Sequence, residues 1–136
     1  MPGNDRKKIL IADNDEGLLI AFEHALETAG YDTAVALNAG EMFSMLSRTR
    51  FDVVVLDDYL SDEGCFGVLA RLQQAGVRPA VVVTHHRFPP HEVQEQLRSL
   101  GVCAFVNKRV RVGLPRIVDF LLQAQKGSND GFNRTT

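Results

Sequence analysis

Val53, Val54, Val55 and Leu56 run together without a polar break, and Asp57 and Asp58 follow them directly. This stretch constrains the chain more than any other. A strand with one wetted face alternates apolar and polar residues, whereas an unbroken Val-rich run suits a strand covered on both faces. Strands of that kind belong to parallel sheets with helices packed on either side. The paired carboxylates then stand where the strand leaves the core.

The rest of the sequence supplies the neighbours such a strand needs. Residues 7–13, 31–37, 78–86 and 101–108 read as further strands, each short and apolar. Segments of helical periodicity lie between them. Leu18, Phe22, Ala25 and Ala29 recur at helical spacing with Leu19 and Leu26 beside them, and Gly30 stands at the C-cap position. Asn38 and Glu41 form a capping-box pattern ahead of Met42, Phe43 and Leu46. Val68, Leu69 and Leu72 line a third helix closed by Gly76. Pro89 and Pro90 suit the first turn of a fourth, which carries Val93, Leu97 and Leu100 inward. Pro115 opens a fifth that runs to about Gln125. Strands and helices in strict alternation imply an α/β fold built on one parallel sheet. The 136 residues suit a single domain, taken as 1–125, and the polar stretch 126–136 reads as a flexible C-terminal tail.

Composition excludes several functions. A net charge of -2 lacks the basic excess of a direct nucleic-acid binder. The first apolar run is short and ends at Asp13, so it is no signal peptide, and no segment reaches the ~18 apolar residues of a membrane span. A cytoplasmic protein is expected. Cys65 and Cys103 have no metal-ligand or paired spacing and read as free thiols. Asn133, Arg134 and Thr135 match a glycosylation acceptor only in a secreted chain, so that pattern is set aside.

In open α/β sheets the functional crevice lies beyond the carboxyl ends of the strands. There the sequence puts Asp13, Asn14 and Asp15 after the first strand, Asp57 and Asp58 after the third, Thr84 after the fourth and Lys108 after the fifth. Singly, such residues have ordinary structural uses: aspartates cap helices, a threonine serves a turn, a lysine points to solvent. Together they describe a site. If the first and third strands are neighbours, Asp13 and Asp57 approach each other, and two close carboxylates require a proton or a cation between them. Magnesium takes one or two carboxylates and keeps waters and room for phosphate oxygens. Lys108 suits one phosphate oxygen and the Thr84 hydroxyl another, and an aspartate beside them can accept a phosphoryl group as an acyl phosphate.

From about Lys8 to Gln125, through the stretches 9–15, 53–69, 81–84 and 101–108, the chain resembles the receiver domain of two-component response regulators. The resemblance implies a flavodoxin-like doubly wound sheet of order 2-1-3-4-5 with five helices. It implies a signalling protein, not an enzyme, that takes a phosphoryl group from a histidine kinase or histidine phosphotransfer protein. Asp57 is then the phosphoacceptor, with Thr84 and Lys108 contacting the phosphoryl group. Magnesium would be held by Asp13, Asn14, Asp57 and the Tyr59 carbonyl, and Thr84 and Phe105 would form the switch. The signal would leave through the face of helix 4, strand 5 and helix 5 to a downstream protein partner. On the last helix Phe120 and Leu122 flank the stripe of Leu114, Ile117, Val118 and Leu121; broad burial and a partner or homodimer surface are the two readings. Relay of the phosphate onward and action as a phosphate sink both stay open.

The chain departs from the family pattern at identifiable places. Asn14 stands where a second acid is usual, so weaker magnesium binding is expected, and Asp15 reads as a helix N-cap. In the loop after Asp57, Ser61 replaces a usual proline and Cys65 a usual glycine; His85 replaces a small residue after Thr84. Arg109 replaces a proline often joined by a cis bond. A cis Lys108–Arg109 bond would cost about 3 kcal/mol, so a trans bond and a shifted lysine loop are expected. These departures motivate a second reading, a degenerate receiver that works as a phosphorylation-independent interaction module. A third reading arises because Asp13 and Asp15 resemble the nucleophile motif of haloacid-dehalogenase-like phosphatases, although Gly17 stands where that motif has Thr or Val.

Overall fold

The computed structural model of the protein describes residues 6–60 and 64–135, with side chains described outside 110–112 and 126–135. Strands β1 (Lys8–Ala12), β2 (Asp32–Ala36), β3 (Val53–Asp57), β4 (Ala80–His85) and β5 (Val102–Asn107) alternate with helices α1 (Glu16–Thr28), α2 (Ala39–Arg48), α3 (Gly64–Gln74), α4 (His91–Ser99) and α5 (Leu114–Thr135). All neighbouring strands are parallel, and the sheet order is β2-β1-β3-β4-β5. This is the flavodoxin-like doubly wound sheet. β3 lies at its centre, which is why its run is apolar without a break.

Successive residues of a strand point to opposite faces, and here both faces are dry. Val54 and Leu56 of β3 join Leu10, Val81 and Val83 in a core shared with Met42 of α2, Leu69 of α3 and Leu97 of α4. Val53 and Val55 join Ile9, Ile11 and Val82 in a second core with Phe22 of α1 and Val118 of α5. The register of β4 against β5 shifts between Val81 and Val82, whose partners Val102 and Ala104 skip Cys103 and leave it exposed.

Helix ends follow local chemistry. Asp15 caps α1 by accepting the Leu18 amide at 3.2 Å. The Asn38 side chain accepts the Glu41 amide at 2.8 Å, and Glu41 reaches back to the Leu37 amide at 2.7 Å, a capping box displaced by one residue. Gly30 and Gly76 end α1 and α3 with φ of 101° and 73°, which a side chain would resist.

The structure revises four local readings. The buried stripe of α1 is Leu19, Phe22 and Leu26, turned from the Leu18–Ala29 spacing, with Leu18 and Ala25 only half buried. α4 starts at His91, and Pro90 precedes it with an extended ψ of 156°. A residue before proline avoids helical backbone, which holds Pro89 out as well. The chain enters α5 through a 3-10 helix, Lys108–Gly113, that periodicity did not reveal. The backbone of α5 continues to Thr135, past the end expected near Gln125; no proline follows Pro115 to stop it. No helix among the described residues is long and apolar enough to cross a membrane.

Candidate functional site

Parallel pairing decides which residues meet at the carboxyl edge. Ala12 pairs with Leu56 and Asp57 with Thr84, so Asp13, Asp57 and Thr84 emerge side by side from β1, β3 and β4. Each is almost fully buried, as is Lys108 at the end of β5. The Lys108 ammonium lies 2.6 Å from Asp57 Oδ1 and 3.3 Å from Asp13 Oδ2. One buried cation thus joins both carboxylates.

Local hydrogen bonds fix the acids. Asp13 Oδ1 accepts the Asp15 amide at 2.9 Å, and Asp57 Oδ1 accepts the Tyr59 amide at 3.4 Å. The Asp58 amide donates to the Thr84 carbonyl at 3.0 Å and so ties the loop after β3 to β4. Thr84 Oγ1 is buried with no hydrogen-bond partner among the described residues.

Electrostatics follow from burial at close quarters. Desolvation raises the Asp13 pKa, and the Asp57 charge adds to it, while the Asp15 amide and Lys108 oppose it. Burial and then Asp57 push Asp58 up to about 6. Burial alone would lower the Lys108 pKa, but Asp57 and Asp13 outweigh it and hold the ammonium above its usual range.

Every residue named for the site can be placed. Asp13, Asp57, Thr84 and Lys108 come together. Asn14 and Tyr59 stand at the rim, where the Asn14 amide nitrogen meets the Tyr59 carbonyl at 3.4 Å. Phe105 is half buried, 5.3 Å beneath the Arg98 guanidinium. Asp15 serves as the α1 cap, which removes it from the phosphatase-like pairing with Asp13. The Lys108–Arg109 bond is trans, since no cis bond occurs among the described residues. Ser61 lies outside the described residues. Sequence reasoning underrated Asp58, a half-buried acid beside Asp57; two adjacent acids at a strand exit were the available signal.

The donors present are the hard oxygens that magnesium prefers. Asp13 Oδ2 is buried and, among the described residues, accepts no aligned hydrogen bond; its ion pair with Lys108 at 3.3 Å leaves a lone pair for a metal ion. Among the described residues, no group of three His, Cys, Asp or Glu side chains is disposed to hold a metal. Two carboxylates with carbonyl oxygens beside them suit an ion that keeps much of its water.

Residues 9–118 match the family model of the response regulator receiver domain. The chain belongs to that family. Among relatives of this receiver, the alginate biosynthesis transcriptional regulatory protein AlgB of Pseudomonas putida is 33% identical over 84 residues, covering 61% of this chain and 19% of that protein. The transcriptional regulatory protein GlrR of Escherichia coli is 27% identical over 125 residues, covering 90% of this chain and 28% of that protein. The receiver thus spans under a third of either relative. The CheY-like receiver domain protein of Methanospirillum hungatei superposes with a TM-score of 0.81 at 22% identity, covering 91% of this chain and 99% of that one. The receiver domain of a putative Luxo repressor from Vibrio parahaemolyticus gives 0.81 at 18% identity, with 91% and 95% covered. Likeness at such identities speaks to the fold.

Proposed function

We propose that this receiver accepts a phosphoryl group on Asp57 from a phosphohistidine of a kinase or phosphotransfer protein and passes the resulting change to a protein partner. The observation that supports this reading is the convergence of Asp13, Asp57 and Lys108 within 3.3 Å in one buried pocket, beside an unpartnered Thr84 hydroxyl. Asp57 Oδ1 is engaged by Lys108 and the Tyr59 amide, so Oδ2 attacks phosphorus. The new O–P bond forms as the P–N bond to the donor imidazole breaks. The Lys108 ammonium transfers from Asp57 to a phosphoryl oxygen, and the Thr84 hydroxyl donates to another. Asp13, Asp57, the Tyr59 carbonyl and the Asn14 amide oxygen would hold magnesium, which supplies charge neutralisation to the phosphoryl oxygens when bound.

Thr84 leads through β4 to the α4–β5–α5 face, where Phe105 responds and a downstream partner reads the change. A second copy of the receiver is the competing occupant of that face. The decisive experiment incubates the protein with magnesium and a small acyl phosphate donor and reads intact mass. A gain of one phosphate in the wild type, absent in Asp57→Asn, is the expected result. The absence of Asn14's charge favours a second reading, the phosphorylation-independent module. It stands instead if the wild type gains nothing and Asp57→Asn still binds the partner.

A further inference from the structure

Beside the acidic pocket, between the loop that follows β3 and helix α4, lies a second cavity of about 190 Å3. Val83, Pro89, Val93, Leu97 and Cys65 give it apolar walls. Burial raises the Cys65 thiol to about 11, so that wall carries no charge at neutral pH. Two polar side chains break the apolar lining: the Asp58 carboxylate, on the side of the acidic pocket, and His85. His85 is 1% exposed, and neither ring nitrogen has an aligned hydrogen-bond partner among the described residues. The Arg87 backbone carbonyl lies near the ring and favours its protonated form, but short of full hydrogen-bonding geometry. Burial lowers the imidazole's affinity for a second proton, so the neutral ring offers one donor and one acceptor. Buried polar groups of this kind are almost always paired, and an unpaired one calls for a partner.

The surroundings say what kind. Tyr59 and Phe66 stand at the cavity, 76% and 39% exposed. Phe88, 60% exposed, packs edge-on against the His85 ring at 4.8 Å. Among the described residues, the other large exposed apolar side chains are Ile20 on α1, Leu37 in the loop after β2 and Phe120 on α5, none of them on an element that lines the cavity. Exposed aromatics gathered around one concave apolar pocket are the form of an anchor site in a protein interface. A cavity of about 150 Å3 admits a benzene ring, so this one takes a single aromatic ring. An aliphatic or phenylalanine side chain would fill it and leave His85 unpaired.

We propose that this cavity receives one aromatic side chain of a partner protein, a tyrosine or tryptophan whose O–H or N–H pairs with His85. The test is an amide-resolved NMR titration of the full chain, without phosphodonor, so that its outcome is independent of the chemistry at Asp57. The probes are N-acetyl-tyrosinamide, N-acetyl-phenylalaninamide and a short polar peptide with one central tyrosine. Tyrosine is expected to shift the amides of Cys65, Val83, His85 and Leu97 and to bind at least about fivefold more tightly than phenylalanine. The peptide is expected to bind more tightly than the free amide and to lose that advantage in Phe88→Ser. Val93→Phe, which fills the cavity from a half-buried position, abolishes the shifts while circular dichroism stays native. Absence of shifts at these amides with every probe overturns the site, and equal affinity for tyrosine and phenylalanine overturns the role of His85. A free ring that binds as well as the peptide, indifferent to Phe88→Ser, makes this a small-molecule pocket and overturns the docking surface.

Discussion

Asp13 and Asp58 both ionise less readily than a free aspartate, chiefly because burial disfavours their charge. Their folded-state pKa values exceed the unfolded ones, so the folded protein holds extra protons in the interval between. Stability is therefore greatest below that interval and falls as pH rises through about 6, the Asp58 value. Thermal unfolding followed from pH 4 to 8 without magnesium should show this decline; a flat profile would contradict it. A metal binds the deprotonated acids, so magnesium should raise Tm more at about pH 7.5 than at about pH 5. Restoring the missing charge sharpens the point. A unit charge at about 4 Å contributes between roughly 1 and 4 kcal/mol as the effective dielectric constant drops from water's to a protein surface's. Asn14→Asp should thus tighten magnesium on the order of tenfold or more, measured by calorimetry. Thr84→Val removes a buried hydroxyl with no partner among the described residues, so urea unfolding should show stability unchanged or raised by about 1 kcal/mol, with the phosphorylation-dependent response reduced. At this scale Asp13, Asp57, Thr84 and Lys108 were legible because strand ends can be counted. His85 was not, since its burial depends on where Phe88 and Phe105 pack.

Helices and strands carried uneven signals. The strands were plain because burial on both faces leaves long apolar runs; four fall within the expected bounds, and β3 takes in Asp57, expected just after it. α1 was found but misphased, because leucines at 18, 19 and 26 fit two neighbouring stripes and only packing chooses between them. The 3-10 helix after β5 has no periodic pattern to detect in six residues. Two substitutions separate the buried and exposed faces of helices. Leu69→Ala in α3, 1% exposed within the core, should cost about 2–5 kcal/mol in chemical denaturation. Phe120→Ser in α5, 71% exposed, should change stability by less than about 0.5 kcal/mol. Its effect should appear instead in partner binding or self-association, by analytical ultracentrifugation. The same helix is anchored by the hydrogen bond from the Tyr31 hydroxyl to Asp119, which ties α5 to the turn before β2.

For the molecule as a whole, the order of strands came from family likeness, while the alternation of elements came from the residues themselves. We propose that 1–125 suffices for the fold and that 126–136 is a flexible tail, since a helical end rich in polar residues and glycine has little to hold it. A chain ending at Gln125 should keep its Tm, and amides beyond 126 should exchange among the fastest; a marked fall in Tm would show that the segment is integral. Asp13, Asp57 and Lys108 come from the first, third and fifth strands, so no fragment of the sheet contains the reactive pocket. On the proposed function, a nascent or damaged copy that lacks its final strand has no lysine to steady an incoming phosphate. If that function holds, such a copy stays mute instead of sending a false message.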